Sequence, residues 1–174
     1  MMKSVIVNEV HKLILNSVNK QIAIDATCGN GNDTVFLCQH FEKVYAFDIQ
    51  TLAIERTRKK TKDFQNLVLI NDDFRKIETY LKEADCIVFN LGYLPGSDRK
   101  VKTSEYDSKL AILKAYDILK NQGSLIIAVY TKHEGGLEEY QEILGVLEKA
   151  KLSFEKNDNF SNGEILIYIK KNRV

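Results

Sequence analysis

Four stretches of this chain put carboxylates, amides and glycines at the ends of apolar runs, where a ligand could meet them. The first reads Asp25-Ala26-Thr27-Cys28-Gly29-Asn30-Gly31-Asn32-Asp33. Gly29 and Gly31 free the backbone to take positive φ and to approach a ligand closely. A helix is expected to begin near Asn32 or Asp33, both good N-caps. A dinucleotide loop would want a third glycine where Thr34 stands. Asp25 and Asp33 would repel a phosphate and favour a cationic ligand; a plain strand-to-helix turn is the structural alternative. The second stretch ends at Asp48, before Ile49 and Gln50. An acid here can accept both hydroxyls of a ribose, although it can also cap a helix. The third, Asn71-Asp72-Asp73, can accept from an adenine amino group or cap a helix before Phe74.

The fourth stretch, Asn90-Leu91-Gly92-Tyr93-Leu94-Pro95-Gly96, is the most informative. The Asn90 side-chain oxygen and a nearby backbone carbonyl can accept two N–H bonds from an amine and aim its lone pair at an electrophile. Tyr93 offers a face on which a base can stack. Gly92 and Gly96 permit close approach, and Pro95, the single proline of the chain, stiffens the turn.

The elements that must hold these residues follow from hydrophobic periodicity. Runs at 22–26, 44–49, 67–70, 86–91 and 125–130 each read as a short buried strand. Stretches with helical spacing lie between them, and Val10, Leu13, Ile14 and Val18 suggest an opening helix. The runs at 152–154 and 165–169 have no long helix between them and are expected to pair as an antiparallel edge hairpin. The result is an α/β fold, a seven-stranded, mostly parallel sheet with helices on both faces. Its ligand crevice should open beyond the carboxyl ends of the strands, where the four stretches fall.

Composition sets the outer bounds. The 174 residues, 44% hydrophobic and 28% charged, suit one ordinary globular domain spanning 1–174 and exclude disordered and fibrous classes. Lys plus Arg is 25 and Asp plus Glu 24, so an anionic partner must be met by a local patch and not by bulk charge. Two basic runs qualify. The residues 56–62 are most simply a solvated helix end, while Arg99-Lys100-Val101-Lys102 directly follows the fourth stretch. Cys28, Cys38 and Cys86 form no Cys-x-x-Cys pair and have no histidine at ligand spacing, so no metal is expected and reduced thiols in a cytoplasmic protein are. Polar residues such as Lys3, Asn8, Glu9, His11 and Lys12 interrupt the opening segment, so neither a signal peptide nor a spanning helix, and no membrane partner, is expected.

On these residues the chain resembles the class I S-adenosylmethionine-dependent methyltransferases. The stretch 119–127, Leu-Lys-Asn-Gln-Gly-Ser-Leu-Ile-Ile, is similar to the Leu-Lys-Pro-Gly-Gly turn before the fifth strand of that fold. More narrowly, it resembles the family first labelled ribosomal RNA methylase and since recognised as the transfer RNA 5-aminomethyl-2-thiouridine methyltransferases. The matching stretches are 25–31, Asp33-Thr34, Phe47-Asp48-Ile49-Gln50, 89–96, and Tyr130 with His133, Gly135 and Gly136. Asn32 and Asp73 stand where the family usually has histidine, Lys132 where it has glycine, and Ser108 where it has threonine.

The resemblance implies a Rossmann-like sandwich, S-adenosyl-L-methionine as cofactor, and cofactor contacts from Asn30, Asp48 and Gln50. With the strand-end readings, the expected cofactor set is Asp25, Thr27, Gly29, Asn30, Gly31, Asn32, Asp48, Gln50, Asp72, Asp73 and Asn90. Asn90 and Tyr93 would lie at the substrate amine, and His133 is the one histidine near a strand end that could take a proton. Pro95, Gly96, Arg99, Lys100 and Lys102 would meet the substrate. The implied reaction is methylation of the aminomethyl group on a wobble uridine, with the tRNA anticodon arm gripped by this surface or by a second subunit in a homodimer. Rivals are methylation of another RNA base, as in ribosomal RNA, a small-molecule amine methyltransferase, and a non-catalytic cofactor- or RNA-binding module. A cysteine nucleophile fits poorly: Cys28 lies in the cofactor loop, Cys86 at the wrong end of its strand, and Cys38 within a helix.

Overall fold

Strand alternation explains why the sheet is covered on both sides. In β4 (Ala84–Leu91), Cys86 and Val88 point to one face while Ile87 and Phe89 point to the other, the two-residue period of extended chain. Apolar side chains on both faces need helices on both. The computed structural model describes residues 4–92 and 107–172. Its seven strands run in the order β3 (Leu67–Ile70), β2 (Lys43–Phe47), β1 (Ile22–Asp25), β4, β5 (Leu119–Tyr130), β7 (Glu164–Lys170) and β6 (Glu155–Asn157). The first five pair in parallel, and β7 runs antiparallel to both β5 and β6.

On one face, α1 (Val5–Leu15) and α2 (Asn32–His40) bring Ile6, Val10, Ile14, Leu37 and Cys38 against Ala23, Val44 and Val88. Beside them α3 (Thr51–Lys60) closes a smaller cluster of Cys28, Ala46 and Ile54. On the other face, α4 (Ser108–Ile118) and α5 (Gly136–Lys149) bury Ala111, Ile112, Ala115, Ile143 and Leu147 against Ile87, Leu125 and Ile127. Phe74 meets Phe47 and Phe89 edge-on at centroid distances of 5.3 and 5.1 Å, the preferred geometry for aromatic pairs. That stack braces the carboxyl ends of β2 and β4 from beneath. Because β2 and β4 both flank β1 in parallel, the loops after β1 and β4 share the switch point.

Several expected boundaries move. α2 is not capped by Asn32 or Asp33: Gly31, at φ +79°, is the N-cap, and Asp33 sits in the first turn, where a carboxylate favours the helix dipole. Between β3 and β4 the chain makes only a 3-10 turn, Phe74–Thr79, begun by Asp73 accepting from Arg75 N–H. The opening helix stops at Leu15, short of Val18, and its last carbonyls receive Lys20 Nζ. Residues 119–123 are the start of β5, with Gln122 at φ +65° and a register shift opposite Ala84 and Cys86. The last hairpin begins at Glu155 and not at 152, because Leu152 and Phe154 pack against the core after Lys151 turns through φ +55°.

Gly31 combines a left-handed φ with a Cβ position 3.0 Å from the Thr57 Cα, so Gly31→Ala should lose about 1–3 kcal/mol in urea unfolding. Gly145 lies in α5 with nothing within 4 Å of its Cβ position, and Gly145→Ala should gain about 0.5–1 kcal/mol in the same measurement.

Candidate active site at the carboxyl ends of the strands

Two buried carboxylates lie at the centre of the crevice. Asp25 ends β1 and is 1% exposed; its Oδ1 accepts from Thr27 N–H at 3.3 Å and its Oδ2 from the Thr34 hydroxyl at 2.6 Å. Asp33, in the first turn of α2, pairs through Oδ1 with His11 Nε2 at 2.9 Å and accepts the Asn90 Nδ2–H through Oδ2 at 3.3 Å. Burial, and then the nearby charge of Asp33, raise the Asp25 carboxyl to about 7. Asp48, just past β2, is likewise raised by burial, against the pull of Gly29 and Gln50 N–H groups at 3.1 and 3.0 Å. Two buried acids with the half-buried Asp48 near them make a crevice suited to a cation.

Asn90 enters this network from β4. Its N–H donates to the Thr27 hydroxyl at 2.7 Å, so the loop after β1 and the end of β4 are tied together. The Tyr130 ring lies beside the Asn90 side chain, its hydroxyl pushed up to about 12 by burial and by Glu164 and Asp33. A Cβ at Gly92 would stand 3.1 Å from the Tyr130 ring and 3.5 Å from Asn90 Oδ1. Glycine there leaves that oxygen open to approach.

The glycine loop is held from below by β2 and α3. Cys28 N–H donates to the Phe47 carbonyl at 2.9 Å, the Thr57 hydroxyl to the Gly29 carbonyl at 3.3 Å, and Arg56 to Asn30 Oδ1 at 3.2 Å. Lys60 Nζ reaches Asn32 Oδ1 at 2.6 Å. Part of the basic run at the end of α3 is therefore spent on the loop, while Arg58, Lys59 and Lys62 face solvent. Both Asp73 oxygens are occupied by Arg75, and both Asp72 oxygens by Lys76 and Tyr80. The local cap accounts for that acidic pair. Asn71 instead reaches the Asp48 carbonyl at 2.9 Å and braces the end of β2.

The structure thus gathers Asp25, Thr27, Gly29, Asn30, Gly31, Asn32, Asp48, Gln50 and Asn90 around the ends of β1, β2 and β4. Tyr93, Pro95, Gly96, Arg99, Lys100 and Lys102 lie outside the described residues. His133 follows β5, its Nδ1 3.1 Å from the Glu134 carbonyl and its Nε2 buried near Gly136 without a hydrogen-bond partner among the described residues. The three cysteines are free and buried. Burial raises Cys38 to about 11, Cys86 to about 12 and Cys28 well above the usual thiol range, so all stay neutral thiols and poor nucleophiles. Among the described residues no group of three or more His, Cys, Asp or Glu is arranged to hold a metal, and no helix is long and apolar enough to cross a membrane.

Two members of the network were not among the site residues expected from the sequence. Tyr130 matched a family stretch but was given no role. His11 read as a polar interruption of the opening helix, yet it lies on the same stripe as Ile6, Val10 and Ile14. A polar residue on a buried stripe demands a partner, and that was the available signal.

The raised Asp25 carboxyl has a stability signature. Its contribution is complete below the ordinary carboxylate range and is lost as pH rises through about 7. Relative to the unaltered chain, Asp25→Asn should therefore gain more in Tm at pH 8 than at pH 5. An equal difference at both values would show that the buried charge is not strained.

The chain matches, over residues 44–159, the model of the family described as "Putative rRNA methylase". A curated relative from Arabidopsis thaliana, named tRNA (mnm(5)s(2)U34)-methyltransferase, chloroplastic, is 37% identical over 138 residues. That match covers 69% of this chain and 50% of the relative, so the chain spans about half the relative's length. A solved structure described as a "putative rRNA-methylase" from Clostridium thermocellum is 30% identical, with TM-score 0.86, over 98% of this chain and 99% of that one. A "putative methyltransferase" from Streptococcus mutans, in complex with SAH, is 33% identical, with TM-score 0.84 and the same coverage. The fold agrees with that of these two solved structures, and the chain belongs to the family described as "Putative rRNA methylase".

Proposed function

We propose that this chain is an S-adenosylmethionine-dependent N-methyltransferase that acts on RNA, and that it methylates the aminomethyl group of 5-aminomethyl-2-thiouridine at the tRNA wobble position. The observation that carries the reading is the Asn90 amide at the crevice, its nitrogen turned to Asp33 and its oxygen beside Gly92. An amide oxygen in that place accepts an amine N–H and directs the nitrogen lone pair. Orientation of this kind is worth up to roughly 7–11 kcal/mol when reacting atoms are held in line.

The residues fit the cofactor chemically. Burial raises Asp25 and Asp48, with Asp33 beside Asp25, and a cationic ligand would relieve the cost of their charged forms. Asp48 would accept ribose hydroxyls, Asn30 and Gln50 would lie beside it, and the exposed side chains of Ile49 and Leu52 would flank the base. S-adenosylmethionine, when bound, supplies an activated methyl group. Tyr130, kept neutral by burial, does not serve as a base at neutral pH. The proton that leaves the amine would go to solvent or to His133.

The name of the Arabidopsis relative supports a tRNA substrate. On this reading the 174 residues work as one cytoplasmic domain. Arg58, Lys59 and Lys62, with Arg99, Lys100 and Lys102, would meet RNA phosphates while Tyr93 stacks on the target base.

Mass spectrometry of tRNA nucleosides from cells with and without the gene tests the proposal. Loss of the gene should accumulate 5-aminomethyl-2-thiouridine at the expense of its methylated form; unchanged nucleosides would refute the substrate. With purified protein, Asn90→Ala should lower kcat by about a hundredfold, and turnover at the unaltered rate would remove the amine-orienting role. Arg99→Glu with Lys102→Glu should abolish tRNA methylation, whereas a small-amine enzyme would keep its activity.

A further inference from the structure

We infer that His11 is a positioning residue that sets the orientation of the Asn90 amide through Asp33; this rests on Asn90 being the group that orients the amine. His11 belongs to α1, outside all four strand-end stretches of the sequence, and is 6% exposed. Its ring stacks on Phe36 of α2 at 3.8 Å with the planes 8° apart. Its Nε2 is 2.9 Å from Asp33 Oδ1. An ionised carboxylate only accepts, so Nε2 carries the proton and donates.

The amide oxygen and nitrogen of Asn90 are nearly the same size, so packing alone does not choose which faces the crevice. Hydrogen bonding chooses. Asp33 Oδ2 accepts from Nδ2 at 3.3 Å, which turns Oδ1 away from Asp33 and leaves it beside Gly92. Asp33 can select in this way only if its carboxyl plane is fixed, and the His11 bond to the opposite oxygen fixes it. Packing does not require the imidazole: Ile6, Val10 and Ile14 fill the rest of the stripe, and a leucine there would escape the desolvation cost of a polar ring. The opening helix therefore reaches into the site and does more than cover the sheet.

The test uses the purified full chain, S-adenosylmethionine and tRNA from cells lacking the gene. His11→Phe keeps a ring on Phe36 without a donor; His11→Gln returns an N–H near the position of Nε2. His11→Phe should lower kcat about tenfold with the cofactor KM changed less than about threefold, and His11→Gln should recover most of the loss. The Asn90 side-chain amide resonances, assigned by their disappearance in Asn90→Ala, should move in His11→Phe and stay near their unaltered positions in His11→Gln. The reciprocal reading needs no His11 variant: the His11 Nε2–H resonance should move in Asn90→Ala. Full kcat in His11→Phe, equal losses in both variants, or resonances that do not respond would each overturn the inference. If the unaltered chain transfers no methyl group to tRNA, the substrate reading fails by itself. The resonances then decide the His11 coupling alone, movement upholding it and silence overturning it.

Discussion

Asp25 at the end of β1 and Asp33 at the start of α2 bury carboxylates close enough to feel each other's charge, and the surrounding structure is organised to tolerate them. Each of the four oxygens meets one donor from a different place: the loop after β1 through Thr27, α2 through Thr34, α1 through His11, and β4 through Asn90. Removing any one donor would leave a buried acceptor unmade, at a cost of about 1–3 kcal/mol. These bonds lock together two helices, a loop and a strand. The positions of the crevice walls follow from them.

The same bonds define what the crevice can do. They satisfy the carboxylates as hydrogen-bond acceptors but leave the charged form of Asp25 costly, which its raised proton affinity records, and a cation entering the crevice would relieve that cost. They also turn the Asn90 oxygen outward, toward the gap left by Gly92. A positively charged methyl donor on one side and an amine on the other is the chemistry this arrangement suits. The near-zero net charge of the chain, +1, conceals it, because an acidic crevice is averaged with basic stretches of the sequence.

The strands and most strand-end residues were legible because buried parallel strands are short apolar runs that end where polar residues begin. Asp25, Asp48 and Asn90 could be placed at the crevice on that ground. Boundaries slipped where single residues take unusual backbone conformations, as at Gly31, Gln122 and Lys151, or where the connection was too short for an α-helix, as at 74–79. Asp72 and Asp73 were ambiguous in sequence because an acid before Phe74 serves a ligand or a cap equally well; their partners Lys76, Tyr80 and Arg75 are local. His11 was out of reach for a different reason. Its contact with Asp33 is made only when α1 and α2 pack on one face of the sheet, and no local motif encodes that meeting.

The central claim is that the crevice delivers a methyl group to an exocyclic amine of tRNA. Incubating purified chain with S-adenosylmethionine carrying a deuterated methyl group and with tRNA from cells lacking the gene, then fragmenting the labelled nucleoside, tests it most directly. The account predicts the label on the aminomethyl nitrogen of a 2-thiouridine. A label on a ring atom, on a ribose or on another base would contradict it.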